Sequence, residues 1–325
     1  MIEQFQTAIL NGYKITFEEA VLIADYYGND EGKLQTLLNF CQKLREFHHQ
    51  KKLDLCSIVN AKSGNCSEDC KFCSQSSHNS AEVDRYEIVE HDFAVELASC
   101  NEQLGVGRFS LVTAGRAITP GQLEKLQPVY ESIKRRSKLQ LCASMGMLSA
   151  KTAGMLKDMG VGRYHCNLET SKSYFKKVCT THSWQEKVET IRCAQNAGME
   201  VCSGGIIGLG ESRVQRLELA FELAGLNIKS IPINILNPIK NTAFENVKPL
   251  SLSEILLSFA MFVLVNPKAV IRVAGGRNLL GDAQEKLFLS GVSGAIVGDY
   301  LTTSGNGLKN DLAMFKKLGF EIKRF

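Results

Sequence analysis

Hydrophobic residues recur at two different spacings along this chain. Within residues 1–50, the segments FEEAVLIADYY and GKLQTLLNFCQKLREFHHQ carry apolar residues three and four positions apart, which is the period of an amphipathic helix. Further along, short runs rich in β-branched residues alternate with segments of helical period. The runs are LCSIVNA, RFSLVTAG, LQLCASMG, RYHCNLE, EVCSGGIIG, SIPINIL, AVIRVAGG and GAIVG.

These eight runs, separated by helical segments such as PGQLEKLQPVYESIKRR and SWQEKVETIRCAQNAG, predict eight strand–helix units. Eight such units favour a closed parallel barrel over an open sheet. The sequence therefore predicts an α/β fold, a (βα)8 TIM-type barrel with an N-terminal helical extension. We expect residues 1–50 to form the extension and residues 51–325 the barrel. In this fold, the chemistry lies at the carboxyl ends of the strands and in the loops that follow them.

Composition narrows the function classes. The chain has 325 residues, 44% hydrophobic and 22% charged, with a net charge of +4, which argues against disorder and against a nucleic-acid surface. The N-terminal residues carry early acids and no signal-peptide pattern, and the longest apolar stretch, ILLSFAMFVLV at 255–265, is too short to span a membrane. We expect a cytoplasmic protein, in which eleven cysteines indicate metal binding or catalysis rather than disulfides.

Three of these cysteines, Cys66, Cys70 and Cys73, lie within eight residues of one another just after the first predicted strand. Their neighbours are polar, so the cysteines do not belong to a hydrophobic core. A structural zinc site needs four ligands, and the chain has no second CxxC pair to complete one. Three thiolates around an iron–sulfur cubane leave one iron with an open coordination position, where a further ligand can bind.

Two further segments place polar or small residues at strand ends. In RYHCNLE, alternation puts His165, Asn167 and Glu169 on one face and Cys166 on the other, and three inward polar groups indicate a polar ligand. The glycine-rich VCSGGIIGLGE lets a ligand approach the backbone closely, or is a plain strand-to-helix turn. It lacks the Lys and Ser/Thr of a phosphate-binding loop.

The CxxxCxxC spacing, with the aromatic Phe72 before the last cysteine, resembles the radical S-adenosylmethionine enzymes. Beyond this loop, the chain resembles the biotin synthase family in motif order and spacing over nearly its whole length. The motifs are NCSEDCKFCSQSS, YHCNLETS, VCSGGIIGLGES, SIPINIL, VIRVAGGR and the C-terminal YLTTSG.

The resemblance implies radical-mediated insertion of sulfur into dethiobiotin. It implies a 4Fe–4S cluster whose open iron binds S-adenosyl-L-methionine, and an auxiliary iron–sulfur cluster, 2Fe–2S in the family, that supplies the sulfur. It also implies a homodimer, an external electron donor of flavodoxin or ferredoxin type, and a C-terminal biotin/thiamin-synthesis-associated segment within the barrel domain.

The resemblance also assigns roles to individual residues. Those expected to contact the S-adenosylmethionine cofactor are Phe72, Asn167, Glu169, Gly204, Ile206, Gly208 and Glu211. Two positions match the substrate site: His165, where the family commonly has Asn, and Asn234, which has an alternative as a satisfied strand-end amide.

The auxiliary cluster is where this chain departs from the family. Cys142, Cys202 and Arg272 match the family's ligands, but Ser110 stands where the family usually has cysteine, and its hydroxyl is a weaker iron ligand than a thiolate. Either a similar cluster survives with serine or an outside ligand at that corner, or a different cluster recruits another cysteine. Cys179 and Cys166 are the candidates for recruitment.

The remaining cysteines and Arg272 also have an interpretation from the sequence. We interpret Cys41, Cys56, Cys100 and Cys193 as structural thiols. Arg272, facing the barrel interior, needs an anion, which a sulfide-bearing cluster would supply.

Two alternatives remain at this stage. One is a related radical enzyme without sulfur insertion, such as an amino-acid mutase or a hydrogenase-cofactor maturase; the candidate second metal site argues against it, and Ser110 argues for it. The other is a non-catalytic iron–sulfur carrier, in which the cofactor-binding residues would have no purpose.

Overall fold

The computed structural model describes residues 2–303 and 305–323. Its strands form one parallel sheet. They are β1 (Lys52–Lys62), β2 (Arg108–Thr113), β3 (Gln140–Ser144), β4 (Arg163–His165), β5 (Glu200–Cys202), β6 (Gly205–Ile207), β7 (Ser230–Ile235), β8 (Val270–Val273), β9 (Gly294–Ile296) and β10 (Glu321–Ile322).

The sheet closes on itself because β1 pairs with β2 on one side and with β9 on the other. The strands follow chain order around the ring, and β5 and β6 together occupy the fifth position because both pair with β7. The predicted eight-position barrel is therefore confirmed, and all eight predicted runs contain strand. One short strand was not predicted: β10 adds to the start of β1, where Lys52 pairs with Glu321, outside the closed ring.

Helices connect the strands and cover the outside of the ring. They are α1 (Ile2–Leu10), α2 (Phe17–Gly28), α3 (Glu31–His49), α4 (His91–Gln103), α5 (Pro120–Arg136), α6 (Ala150–Asp158), α7 (Phe175–Val178), α8 (Trp184–Asn196), α9 (Arg213–Gly225), α10 (Leu252–Val265), α11 (Gln284–Leu289) and α12 (Leu308–Lys317). A 3-10 turn at Arg277–Ala283 leads into α11.

Side-chain caps begin most of the connecting helices. Thr119, Ser149, Ser183 and Ser212 each accept a hydrogen bond from the backbone three residues on, and each forms a reciprocal capping box. Such caps satisfy amide groups that have no partner inside the helix. The helices therefore begin at defined residues, which sets the length of the strand-to-helix loops at the mouth of the barrel.

The helix α10 explains why its segment is apolar on every side. Its inner face contacts the barrel at β8, and its outer face is covered by α2 and α3 of the N-terminal extension. The Cys41 thiol of α3 donates to the carbonyl of Ala260 at 3.4 Å. A helix buried on all sides needs no polar stripe. Across the described residues, no helix combines the length and the apolar character needed to cross a membrane.

The first three helices share one hydrophobic core with the barrel. Leu37 and Leu44 of α3 belong to the same buried cluster as Leu55 and Val59 of β1. The helical extension ends at His49 and the first strand begins at Lys52. The division into two domains at residue 50 stays a prediction.

Candidate active site

A cavity of about 360 Å³ occupies the inside of the barrel, lined by residues at and beyond the carboxyl ends of the strands. This is the place where a barrel of this kind positions its chemistry. Phe72 and Cys73 lie at the mouth, in the loop after β1. The other candidate residues that line the cavity are Ser110, Cys142, His165, Asn167, Glu169, Cys202, Ile206, Asn234 and Arg272.

The loop with three cysteines is held in shape by its own backbone. The amide of Cys73 donates to the carbonyl of Cys70, and the amide of Cys66 donates to the carbonyl of Gln75, both at 3.0 Å. The side chain of Asn79 donates to the carbonyls of Cys70 and Cys73 at 3.2 and 2.8 Å. The three cysteines are all half-buried, and Cys73 lines the cavity.

The surroundings of Cys73 act on its thiol in two directions. Burial raises the pKa of the thiol to about 11, while hydrogen bonds from the backbone of Gln75 and Ser76 act in the opposite direction. The net effect keeps the thiol protonated, so a bound iron would have to displace the proton. The fit to a 4Fe–4S cluster rests on the three cysteines of one ordered loop.

Cys179 lies beside this loop. Its sulfur is 3.3 Å from Nδ1 of His182 and 3.1 Å from Oδ1 of Asp69, and the ligand atoms of Cys70, Cys179 and His182 lie within 4.8 Å of one another. A hydrogen bond from Cys70 lowers the pKa of Cys179 to about 4, although burial opposes the change. Cys179 is not among the described residues that line the cavity, so the geometry does not support its recruitment to an auxiliary cluster on the barrel floor.

Cys166 faces away from the cavity, as alternation along β4 predicts. Its side chain is buried in the main hydrophobic core between the barrel and the helices. Burial raises the pKa of its thiol. The geometry does not support recruitment of Cys166 either.

The barrel floor brings together the residues matched to the auxiliary cluster. Ser110 on β2 is in register with Cys142 on β3, and Cys202 on β5 and Arg272 on β8 line the same cavity. The hydroxyl of Ser110 is buried without a hydrogen-bond partner among the described residues. The hydroxyl of Ser110 is therefore available to hydrogen-bond a group bound in the cavity.

Cys56 is the residue of this floor that sequence reasoning missed. It lies on β1, lines the cavity, and is close enough to Cys142 for the two thiols to affect each other's pKa. The sequence did contain a signal: in LCSIVNA, alternation puts Cys56 on the same face as Ile58, which also lines the cavity. The position of Cys56 on the cavity wall was therefore not predicted, and its interpretation as a structural thiol stays a prediction.

Arg272 finds its anion within the protein. Its guanidinium donates to the Asp54 carboxylate at 2.8 Å and to the backbone carbonyls of Asp54 and Ala295 at 2.6 and 3.0 Å. Burial raises the pKa of Asp54, but the charges of Arg272 and Arg108 outweigh burial and lower the pKa to about 2. The expectation that Arg272 needs a cluster to neutralise it is corrected: Asp54 does so.

His165 and Asn234, matched to the substrate site, both line the cavity. His165 lies close enough to the thiol of Cys202 for the two groups to affect each other's pKa. Burial raises the pKa of that thiol, but His165 and the charges of Arg163 and Arg272 lower it to about 6. The side chain of Asn234 donates to the carbonyl of Gly205 at 3.2 Å and accepts from the amide of Gly275 at 2.9 Å, so it also serves as a strand-end amide.

Asn167 and Glu169 extend from the end of β4 into the cavity. Glu169 adopts φ of 68°, a left-handed conformation that is uncommon outside glycine. Its carboxylate is 3.6 Å from Nζ of Lys187 on α8, a cation that the sequence did not indicate. The side-chain nitrogen of Asn167 donates to Glu169 at 3.3 Å. The strained backbone therefore directs a paired carboxylate at the cavity.

The glycine-rich segment has a packing role at several positions. A β-carbon at Gly204 would lie 1.8 Å from the carbonyl oxygen of Pro232, so a neighbouring strand, and not only a ligand, requires the glycine. Glu211 is buried, accepts from the amide of Gly208 at 2.8 Å and pairs with Arg216 at 3.2 Å. Gly204, Gly208 and Glu211 are not among the described residues that line the cavity, and their contact with a cofactor stays a prediction.

Phe72 and Ile206 do line the cavity, and they also belong to a small hydrophobic cluster at its mouth. Ile206 is buried with Val178, Leu209 and Leu236, and Phe72 packs against them. This cluster joins the three-cysteine loop to the fifth and sixth barrel positions. It fixes the loop relative to the part of the wall that Ile206 and Leu236 form.

Comparisons with known proteins agree with this geometry. Residues 61–223 match the family model of the Radical SAM superfamily, and residues 232–321 match that of the Biotin and Thiamin Synthesis associated domain. The biotin synthase of Desulfotalea psychrophila is 56% identical over 322 residues, 99% of this chain and 95% of that protein. The biotin synthase of Clostridium tetani is 46% identical, over 99% and 98% of the two chains.

Solved structures share the fold. Methylornithine synthase superposes with a TM-score of 0.85 at 16% identity, covering 98% of this chain and 97% of that one. The FeFe-hydrogenase maturase of Carboxydothermus hydrogenoformans gives a TM-score of 0.82 at 19% identity, covering 99% and 79%. At these identities the likeness shows the fold alone.

The barrel, the cysteine loop at its mouth and the matching family models define a radical S-adenosylmethionine enzyme. This class implies the 4Fe–4S cluster and S-adenosylmethionine. Within the class, sequence identity over nearly the full length places the chain in the biotin synthase family. The resemblance to the biotin synthase family that the motifs indicated is thereby confirmed. The comparisons do not support the two alternatives, a non-catalytic iron–sulfur carrier and a mutase or hydrogenase-cofactor maturase.

Proposed function

We propose that this chain forms biotin by inserting sulfur into dethiobiotin, the reaction of the family to which it belongs. One observation carries the residue assignments: a single cavity has the three-cysteine loop at its mouth and Cys142, Cys202 and Arg272 on its floor. A radical source and a sulfur source on opposite sides of one bound substrate is the arrangement that sulfur insertion requires. Cavities of this size hold small ligands.

At the mouth, Cys66, Cys70 and Cys73 would hold the 4Fe–4S cluster, which supplies 5′-deoxyadenosyl radicals from S-adenosylmethionine when both are bound. The three half-buried cysteines of one ordered loop support this assignment. The residues proposed to hold the cofactor from the cavity wall are Phe72, Asn167, Glu169 and Ile206. Lys187 would act through Glu169, because their ion pair fixes the carboxylate that faces the cofactor.

On the floor, Cys142 and Cys202 would hold the auxiliary cluster, a 2Fe–2S cluster by family resemblance, which supplies the sulfur atom when bound. The lowered pKa of Cys202 favours the thiolate that binds iron. Arg272 stands beside these thiols with its charge held by Asp54. Arg163, paired with Glu200 at 2.8 Å, lines the same floor, so the pocket is favourable for an anionic group.

Between the two ends, the cavity wall would hold dethiobiotin. Ile58, Val112 and Ile235 line the cavity and offer an apolar surface for the carbon chain of the substrate. Asn234 and His165 offer polar atoms on the same wall. Apolar walls around the reacting carbons also exclude water, which protects a radical from side reactions.

Partners and location follow from family resemblance. We propose a homodimer that receives electrons from a small flavodoxin- or ferredoxin-type protein and acts in the cytoplasm. Size-exclusion chromatography with light scattering tests the dimer, and reduction by either donor protein in place of a chemical reductant tests the electron source.

The test of function uses the full chain, reconstituted anaerobically with iron and sulfide and supplied with reductant, S-adenosylmethionine and dethiobiotin. We expect both 5′-deoxyadenosine and biotin. In Cys142→Ala and Cys202→Ala we expect 5′-deoxyadenosine without biotin, whereas Cys66→Ala should form neither product. Formation of 5′-deoxyadenosine without biotin by the unaltered chain would overturn the proposal of sulfur insertion.

A further inference from the structure

We infer that Cys56, and not Ser110, is the ligand that completes the protein's hold on the auxiliary cluster together with Cys142 and Cys202. This inference rests on the proposed function, since it names a ligand of the cluster that the proposal places on the barrel floor. It answers which group replaces the family's cysteine at position 110. Neither Cys166 nor Cys179 does so, because neither is among the described residues lining the cavity.

The first argument is the layering of the barrel interior. In a closed eight-strand barrel, each inward layer is built by four side chains from alternate strands. Cys56, Cys142, Cys202 and Arg272 lie on β1, β3, β5 and β8, which are the first, third, fifth and seventh positions of this ring. All four line the cavity. Ser110, on the second position, belongs to the other set of strands.

The second argument is the proximity of the side chains. Cys56, Cys142, Cys202 and Arg272 all line one cavity. Cys56 and Cys142 lie close enough to affect each other's pKa, although β2 separates their strands. Three thiols that converge from three strands form a ligand set of the kind that holds an iron–sulfur cluster.

The third argument is the state of Ser110. Its hydroxyl is buried and lacks a hydrogen-bond partner among the described residues. A serine hydroxyl ionises far less readily than a thiol and is a poor ligand for iron beside competing thiolates. Because the thiol of Cys56 on β1 lines the same cavity as Cys142 and Cys202, a third cysteine ligand is present without Ser110. The unpartnered hydroxyl is then available to donate a hydrogen bond to the group that the three thiols hold.

A packed structural thiol is the alternative for Cys56. A structural thiol in a barrel of this type would point outward into the core shared with the helices, as Cys166 does. Cys56 instead faces the cavity with two other cysteines and a buried arginine. That combination of groups distinguishes it from Cys41, which is buried against α10 and is not among the described residues that line the cavity.

The experiment isolates the auxiliary cluster in the full chain. Cys66, Cys70 and Cys73 are replaced together by Ala, so that iron bound after anaerobic reconstitution reports the floor site alone. Into this background are introduced Cys56→Ala, Cys56→Ser, Ser110→Ala and, as a matched control on an exposed face of α4, Cys100→Ala. Iron and sulfide are counted per chain, Mössbauer spectra are recorded with iron-57, and circular dichroism verifies that each apo variant is folded.

We expect Ser110→Ala and Cys100→Ala to keep the iron and sulfide content of the background, and Cys56→Ala to lose it. Cys56→Ser, which is nearly isosteric but offers a weaker ligand, should retain less iron than the background, and the retained iron should show one site shifted by the change from sulfur to oxygen. Loss of iron in Ser110→Ala with retention in folded Cys56→Ala would overturn the inference and assign the corner to serine. If the chain with only Cys66, Cys70 and Cys73 replaced binds no iron, the proposal of an auxiliary cluster is overturned, and with it the proposed function.

Discussion

The guanidinium of Arg272 donates to the carboxylate of Asp54 at 2.8 Å beneath the cavity, and both side chains are about 2% exposed. The same carboxylate also pairs with Arg108 at 3.4 Å. One buried anion therefore pairs with two buried cations. Removing the charge of such an anion leaves cations that cannot reach water, which is far more costly than losing an exposed pair.

We predict that Asp54→Asn destabilises the apo protein by about 3 to 5 kcal/mol at pH 7. The asparagine preserves volume, so the loss reports the charge rather than a cavity. Urea unfolding measures it. The matched control is Glu285→Gln, which breaks the exposed pair of Glu285 with Lys317 at 2.8 Å and should cost less than about 1 kcal/mol. Equal losses in the two variants would contradict a special role for the buried pair.

The second prediction concerns Glu169, whose φ of 68° carries the carboxylate into the cavity. Both Glu169→Gly and Glu169→Ala should weaken S-adenosylmethionine binding, because both remove the carboxylate. The free energy of unfolding should be about 1 kcal/mol higher for the glycine variant than for the alanine variant, since glycine adopts this conformation without steric cost.

Equilibrium dialysis on the reconstituted chain measures the affinity for S-adenosylmethionine, and urea unfolding measures the stability. Asn227, which has φ of 54° in the turn after α9, provides the control. Asn227→Gly should leave the affinity unchanged. If the Glu169 variants bind S-adenosylmethionine as tightly as the parent chain, Glu169 is not a cofactor contact.

The sequence and the structure differ in instructive places. The strands and the three-cysteine loop could be predicted because both depend on local patterns: a period of two in the strands, and thiols within eight residues in the loop. The proximity of Cys56 and Cys142 on the cavity wall could not, because it spans β2 and depends on the tilt and closure of the whole ring. The nearness of Cys179 to Cys70 likewise depends on where two loops meet.

The glycine-rich segment shows a different limit. A glycine that admits a ligand and a glycine that admits a neighbouring strand have the same sequence pattern. Only the structure shows that a β-carbon at Gly204 would meet the carbonyl oxygen of Pro232. The same holds for Arg272. Its position on an inward face predicts that it needs an anion, but its partner, Asp54, lies 218 residues earlier in the sequence, on β1.

The third prediction follows from that contact. Gly204→Ala should destabilise the protein by at least about 3 kcal/mol, because the obstructing atom belongs to the backbone of β7 and cannot move aside. Gly225→Ala is the matched control: it lies at the end of α9, and an added β-carbon meets nothing within 4 Å. This control should be unchanged or up to about 1 kcal/mol more stable. Urea unfolding of both apo proteins measures the loss of stability. A loss in Gly204→Ala as small as in the control would contradict the prediction and show that β5 and β7 can move apart.

The last prediction uses Glu222 on α9, whose carboxylate accepts a hydrogen bond from the amide of Lys172 at 3.0 Å. Burial raises its pKa from 4.5 to about 7, and the charge of Glu218 adds to the effect. Because the folded state holds this proton more tightly than the unfolded state, the contribution of Glu222 to stability falls as the pH rises from about 4.5 to about 7.

Glu222→Gln keeps an oxygen to accept from Lys172 and removes the ionisation. Relative to the parent chain, the variant should therefore gain stability with rising pH, on the order of 1 to 2 kcal/mol between pH 5 and pH 8 after solvent screening. Urea unfolding of both apo proteins at intervals across this range measures the difference. Glu285→Gln, on the exposed pair, should show no such trend. A difference for Glu222→Gln that stays constant with pH would mean that the carboxylate ionises normally in the fold.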